Sequence, residues 1–205
     1  MRLADEVMPL WRTMEQDAGG VEVPPPLWAF AWAGGQAVAR YVLDHPHVVA
    51  GKRVLDFASG SGLCAIAAAV GGAQSALAVD VDGFALEAVA INAQINGAAV
   101  EVTGHDLLDA DPPDTDLILA GDVCYEQPLA GRVLAWLQVA HQRGSDVLIG
   151  DPGRTYFPRD AMTQLAQYDV PTMRELEGVF MKTAGVFTFS DEFDSEPNIN
   201  VETAQ

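Results

Sequence analysis

Val54-Leu-Asp-Phe-Ala-Ser-Gly-Ser-Gly62 opens the part of the chain from which the fold can be read. Its first residues suit a short strand, and Gly60 and Gly62 suit a turn in which backbone approaches a ligand closely. Leu63, Ile66, Ala67 and Val70 then fall on one face of a helix. The alternation repeats downstream. A strand is predicted at 76–80 and a helix at 84–96, with Leu86, Val89, Ala90 and Ala93 facing inward. Strands follow at 99–103 and 116–121, then a helix marked by Leu129, Val133, Trp136, Leu137 and Ala140, then a strand at 146–150. Strands separated by helices of this length imply right-handed crossovers and a parallel sheet covered on both faces. Near the end, β-rich runs at 170–176 and 179–189 meet at Glu177-Gly178 with no room for a long helix. The chain therefore reads as α/β, a Rossmann-like, seven-stranded, mostly parallel sheet that closes on an antiparallel edge strand.

The flanks differ in character. Residues 1–33 read as a leader that faces substrate or cofactor, with Pro24-Pro25-Pro26 as a stiff extended stretch. Residues 34–189 form the main domain, and 190–205 read as an acidic, disordered tail. The full chain has 205 residues, 11 basic and 29 acidic, for a formal charge of -18. Phosphate backbones are bound by clustered Lys and Arg, so nucleic acid is excluded as the expected partner. An acidic surface favours basic partners instead. No apolar run reaches the roughly 20 residues of a membrane span. The N-terminus lacks the pattern of a secretory signal or transit peptide, which points to the cytoplasm. Cys64 and Cys124 are spaced for neither a disulfide framework nor a zinc site and read as packing residues.

Gly60-Ser-Gly62-Leu-Cys-Ala65 matches the dinucleotide pattern G-x-G-x-x-G/A, which alone selects no cofactor. The acids around it discriminate. Asp56, at the tip of the first strand beside Ser59 and Gly60, would repel a pyrophosphate but favour the sulfonium and ammonium of S-adenosylmethionine. Asp80 ends the second strand, where it can accept hydrogen bonds from two ribose hydroxyls. Asp106, beyond the third, can accept from the adenine amino group while Leu107 packs on the ring. Acids at three successive strand ends favour S-adenosylmethionine over a nicotinamide cofactor, and no metal is implied. A cofactor-binding protein without turnover is the reading from outside the enzyme class.

Three segments carry a resemblance to a known family. They are Pro24-Pro-Pro-Leu-Trp-Ala-Phe-Ala-Trp-Ala-Gly-Gly-Gln36, the glycine motif, and Asp122-Val-Cys-Tyr125 after the fourth strand. Over about 24–189 the chain resembles the seven-β-strand, class I S-adenosylmethionine-dependent methyltransferases. Within them it is similar to the electron-transfer flavoprotein β-subunit lysine methyltransferases and their bacterial relatives. The resemblance implies a protein-lysine N-methyltransferase whose partner is a protein with an exposed lysine, the flavoprotein β-subunit. A ribosomal protein or a small amine is the alternative acceptor. Asp122 is expected to hold and orient the incoming amine, and Tyr125 to shape its channel. Trp28, Arg154 and Tyr156 are candidates to border the acceptor. Trp32 and Gln36 are candidates for the cofactor's methionine end. His105 reads as a surface-loop residue.

Overall fold

The computed structural model describes residues 1–190, so all but the first residue of the acidic tail lies outside it. Its elements in chain order are α1 (Val7–Asp17), α2 (Ala33–Asp44), β1 (Arg53–Phe57), α3 (Leu63–Val70), β2 (Ser75–Val79), α4 (Gly83–Asn96) and β3 (Glu101–Thr103). They continue with β4 (Leu117–Gly121), α5 (Leu129–Gln142), β5 (Asp146–Asp151), β6 (Met162–Pro171), α6 (Arg174–Glu177) and β7 (Met181–Phe189). The strands form one sheet in the order β3-β2-β1-β4-β5-β7-β6. β3, β2, β1, β4 and β5 pair in parallel, whereas β7 runs antiparallel to both β5 and β6. The reversed strand therefore sits one place in from the edge, and β6 forms the edge itself.

Alternation along each strand feeds two cores. Leu55, Ile118, Ile149 and Phe187 pack on one face with Trp136 and Leu137 of α5. Val54, Leu117, Leu119 and Val186 pack on the other with Val38 and Val42 of α2 and Ala67 and Ala68 of α3. Both faces are thus covered, as a parallel sheet requires.

Four details differ from the sequence reading. The leader contains α1, whose half-buried Val7, Leu10, Trp11 and Met14 follow the i, i+3, i+4, i+7 spacing of an amphipathic helix. β6 begins at Met162 rather than 170, because an edge strand with largely exposed faces carries polar Thr163, Gln164 and Gln167 and shows no apolar alternation. The segment 174–177 is a helical turn rather than strand. The inner faces of α3 and α4 are also turned from expectation. Val70 is 60% exposed, and α4 buries Ala85, Val89, Asn92 and Ala93 in place of Leu86 and Ala90. A buried asparagine hides the helical period; its Nδ2 donates to the Ser61 carbonyl at 3.0 Å.

One close approach fixes where α2 begins. A Cβ on Gly34 would lie 2.2 Å from the Gly150 carbonyl oxygen, and one on Gly121 2.6 Å from Gly35 Cα. Glycines on three elements let the first turn of α2 press backbone to backbone on the C-terminal ends of β4 and β5.

Candidate active site

The C-terminal edge of the parallel strands borders a cavity of about 690 Å³. The loop from β1 to α3 forms part of its wall, with Gly60 at φ +51 and Gly62 at φ +81, where β-carbons would be strained. Asp80, just past β2, secures this loop. Its Oδ2 accepts the Gly60 N–H at 2.8 Å, and its Oδ1 accepts the Asp82 N–H at 3.0 Å. Burial raises the Asp80 carboxyl above its usual range, against the pull of those hydrogen bonds. Asp106, beyond β3, also lines the cavity and accepts the Leu108 N–H at 3.0 Å. Leu107 and Trp28 add apolar wall. The Trp28 ring stacks on Phe84 at 5.9 Å, and its buried Nε1 has no partner.

Asp56 stands behind the loop rather than in the cavity wall. It is 2% exposed and accepts the Ala65 N–H at 2.8 Å, which ties β1 to the first turn of α3. Burial pushes its carboxyl up to about 7, with the Ala65 bond opposing and nearby Asp80 assisting. Gly62 lies against Val89 of α4, and Ser59 donates its N–H to the Val79 carbonyl while its buried hydroxyl lacks a partner.

At the β4–β5 side the groups are charged. Asp122, with φ +56, follows β4 and is 7% exposed. Its Oδ2 accepts the N–H groups of Gly34 and Gly35 at 2.5 and 3.1 Å, capping α2. Its Oδ1 accepts from Arg154 Nε at 3.1 Å and Nη2 at 2.7 Å. A carboxylate offers about four acceptor directions, and all four are used. Burial raises the Asp122 carboxyl, and the Arg154 guanidinium opposes that rise.

Arg154 is itself held from three sides. Asp151, ending β5, accepts its backbone N–H at 2.7 Å. Glu177 of α6 takes Nη2 at 2.6 Å and Nη1 at 3.1 Å, and the Arg154 guanidinium lies 5.7 Å over the Trp32 ring. Lys182 of β7 closes the chain on Glu177 at 2.7 Å. Burial would raise the Glu177 carboxyl, but Arg154 and Lys182 hold it below its usual range. Asp151 is pushed up to about 6 by burial.

The cavity thus gathers Trp28, Trp32, Gly60, Asp80, Asp106, Leu107, Asp122, Tyr125 and Arg154 of the residues expected from sequence, with His105 at its rim. Five expected residues stand elsewhere: Asp56, Ser59 and Gly62 shape the loop from behind, and Gln36 and Tyr156 lie apart from it. Gln36 does not line the cavity; its Nε2 donates to the carbonyls of Ala31 at 2.7 Å and Pro171 at 2.8 Å, so it fastens the β6–β7 tip to α2. Tyr156 is 42% exposed and also lies off the cavity wall. The expectation that Asp122 simply awaits an amine also changes, since Arg154 occupies its free oxygen. Sequence reasoning misses Glu177 and Lys182, because Glu177-Gly178 carries only the pattern of a turn between two β-rich runs. Cys64 and Cys124 are buried packing residues. Among the described residues no group of His, Cys, Asp and Glu could hold a metal ion.

The donor set fits S-adenosylmethionine: Asp80, Asp82 and Asp106 in the cavity wall, rather than Asp56, disfavour phosphates, while apolar rings and the orphan Trp28 N–H suit a nucleoside bearing a cationic tail. A parallel sheet with one reversed strand, a glycine loop after β1 and acids at successive strand ends define a class I S-adenosylmethionine-dependent methyltransferase. Known proteins agree. The family described as Ribosomal protein L11 methyltransferase (PrmA) matches residues 39–121. The electron transfer flavoprotein beta subunit lysine methyltransferase of Mus musculus is 41% identical over 170 residues, covering 80% of this chain and 67% of the mouse protein. The Caenorhabditis elegans homolog is 30% identical over 207 residues, 87% of this chain and 83% of its own length. Magnesium protoporphyrin IX methyltransferase from Synechocystis, solved with S-adenosylmethionine bound, shares the fold with a TM-score of 0.53 at 15% identity, over 75% of this chain and 78% of that one. The chain belongs to the electron transfer flavoprotein beta subunit lysine methyltransferase family.

Proposed function

We propose that the protein methylates a lysine side chain of the electron transfer flavoprotein beta subunit. The observation that carries this reading is the 41% identity to the mouse enzyme of that name over 80% of this chain. When bound, S-adenosylmethionine supplies an electrophilic methyl group on a sulfonium. Asp80, Asp106, Leu107, Trp28 and the loop at Gly60 would hold it, leaving the β4–β5 side for the acceptor.

Only a neutral amine attacks a methyl group. With a reference pKa near 10.4, removing the proton from lysine at pH 7 costs roughly 4.6 kcal/mol. A cation beside the amine lowers that cost. The tryptophans at 28 and 32 supply apolar surface that disfavours an ammonium, whereas the Asp122 carboxylate favours one. The part of Asp122 is therefore to orient the amine and not to remove its proton. An amine reaches Asp122 only as Arg154 withdraws from Oδ1, and Glu177 is the second carboxylate that can retain the guanidinium. Asp122 then accepts an amine N–H and sets its direction, which is the positioning that an in-line transfer needs. Tyr125, 45% exposed at the rim, borders the approach.

A protein acceptor rather than nucleic acid is supported by the state of the cations. Arg40, Lys52, Arg53, Arg132, Arg143, Arg154 and Lys182 all pair with acids, which leaves little free positive charge for phosphates.

The test is incubation with methyl-labelled S-adenosylmethionine and purified flavoprotein beta subunit, followed by mass spectrometry. Methylated lysine on that subunit is the expected result. The match over residues 39–121 makes ribosomal protein L11 the comparison substrate. Label on L11 and none on the flavoprotein subunit would replace the substrate, while label on neither would sink the reading.

A further inference from the structure

The connection between β6 and β7 ends in Val179, Phe180 and Met181, which are 46%, 69% and 55% exposed. Three consecutive exposed apolar residues are unusual on a surface this rich in charge. The segment is nevertheless tightly held. The Thr172 N–H donates to the Phe180 carbonyl at 2.8 Å, and the Thr172 hydroxyl to the Val179 carbonyl at 2.7 Å. Gln36 ties Pro171 to the first turn of α2, and Arg154 ties Glu177 to Asp122. The second tie runs to the cavity, since Arg154 and Asp122 both line it. An apolar ledge therefore stands a few residues beyond Glu177, whose partner Arg154 is part of the cavity wall.

We propose that this ledge docks the protein substrate, receiving an apolar side chain that flanks the target lysine on a basic segment. The inference rests on the protein-lysine reading above. Charge selects the occupant. With 29 acidic and 11 basic residues, two copies of this chain repel each other, whereas a basic, lysine-bearing segment is attracted. Exposed Arg174 and Glu175 offset each other on the same connection, so the attraction comes from the charge of the chain as a whole. Phe180 supplies the kind of aromatic anchor that dominates small interfaces.

The test compares wild type with Phe180→Ser, Val179→Ser and the conservative Phe180→Leu, using intact flavoprotein beta subunit as substrate. Phe180→Ser is expected to raise KM for the protein about tenfold, with kcat and S-adenosylhomocysteine affinity kept within about twofold. Val179→Ser should raise KM less, and Phe180→Leu should restore most of the loss. KM unchanged in Phe180→Ser would overturn the proposal, and so would a wild-type dimer in sedimentation that Phe180→Ser dissolves. If wild type leaves the flavoprotein subunit unlabelled, the substrate reading fails separately. The same variants are then compared for label incorporated into the proteins of a bacterial extract. Reduced labelling by Phe180→Ser with cofactor affinity intact supports the ledge; equal labelling overturns it.

Discussion

The two sides of the cavity are built on different principles. Beside β2 and β3, carboxylates meet backbone N–H groups: Asp80 takes those of Gly60, on the neighbouring strand's loop, and Asp82, and Asp106 that of Leu108. Beside β4 and β5, charged side chains meet across long stretches of chain. One oxygen of Asp122 is fixed by the backbone N–H groups of Gly34 and Gly35, but the other meets Arg154, and Arg154 reaches Glu177. The first arrangement is a fixed cradle, since backbone amides cannot leave. The second can be rearranged, since a guanidinium shared by two carboxylates can shift between them. A cofactor common to many enzymes needs the former, and an acceptor that must enter and leave needs the latter.

The contrast can be broken by cutting its charged side. Arg154→Met leaves two largely buried carboxylates without their shared cation, and breaking such a contact costs about 3 kcal/mol. Urea denaturation should show that loss, and adding Asp122→Asn should recover part of it. Gly34→Ala attacks the seat on which that side is built. Its new methyl group would collide with the Gly150 carbonyl oxygen, an overpacking cost of about 2.5 kcal/mol, so Tm should fall by roughly 5–10 °C.

The pH dependence sharpens the other side. Folding raises the Asp56 carboxyl to about 7, so between the unfolded value near 3.9 and that value the native state binds more protons. Its contribution to stability is therefore complete below about pH 4 and is lost as pH rises through 7. Asp56→Asn should flatten the fall in unfolding free energy between pH 4 and 7 by up to about 1 kcal/mol per pH unit. Asp151, raised to about 6, adds a fall of the same sign over a narrower pH range. Tyr125→Phe should do least. A half-exposed hydroxyl with water at hand is worth about 1 kcal/mol, so kcat/KM should change less than about tenfold.

The same division governs what could be read from sequence. Asp80, Asp106 and the loop at 60–62 follow directly from strand, turn and helix, because the residues that build that side are neighbours in the chain or sit at the ends of adjacent strands. The β4–β5 side was legible only through Asp122 and Arg154. Glu177 reaches Arg154 because a reversed β7 carries the preceding turn back over the β5 end, and no local pattern signals that return. Gln36 misleads for a related reason. A polar residue at a helix start suggests ligand contact, whereas here it fastens Pro171 to α2. α1 was legible in its apolar spacing, but the prolines that follow drew the reading toward an extended chain.

The most direct measurement is a calorimetric titration of S-adenosylhomocysteine into wild type, Asp80→Ala and Glu177→Gln. Asp80 anchors the fixed cradle through hydrogen bonds to a charged group, so Asp80→Ala should weaken binding about a hundredfold, or roughly 2.7 kcal/mol. Glu177→Gln, on the rearrangeable side, should bind within about threefold of wild type. Equal losses in the two variants, or none in Asp80→Ala, would contradict the division of the cavity into a cofactor side and an acceptor side.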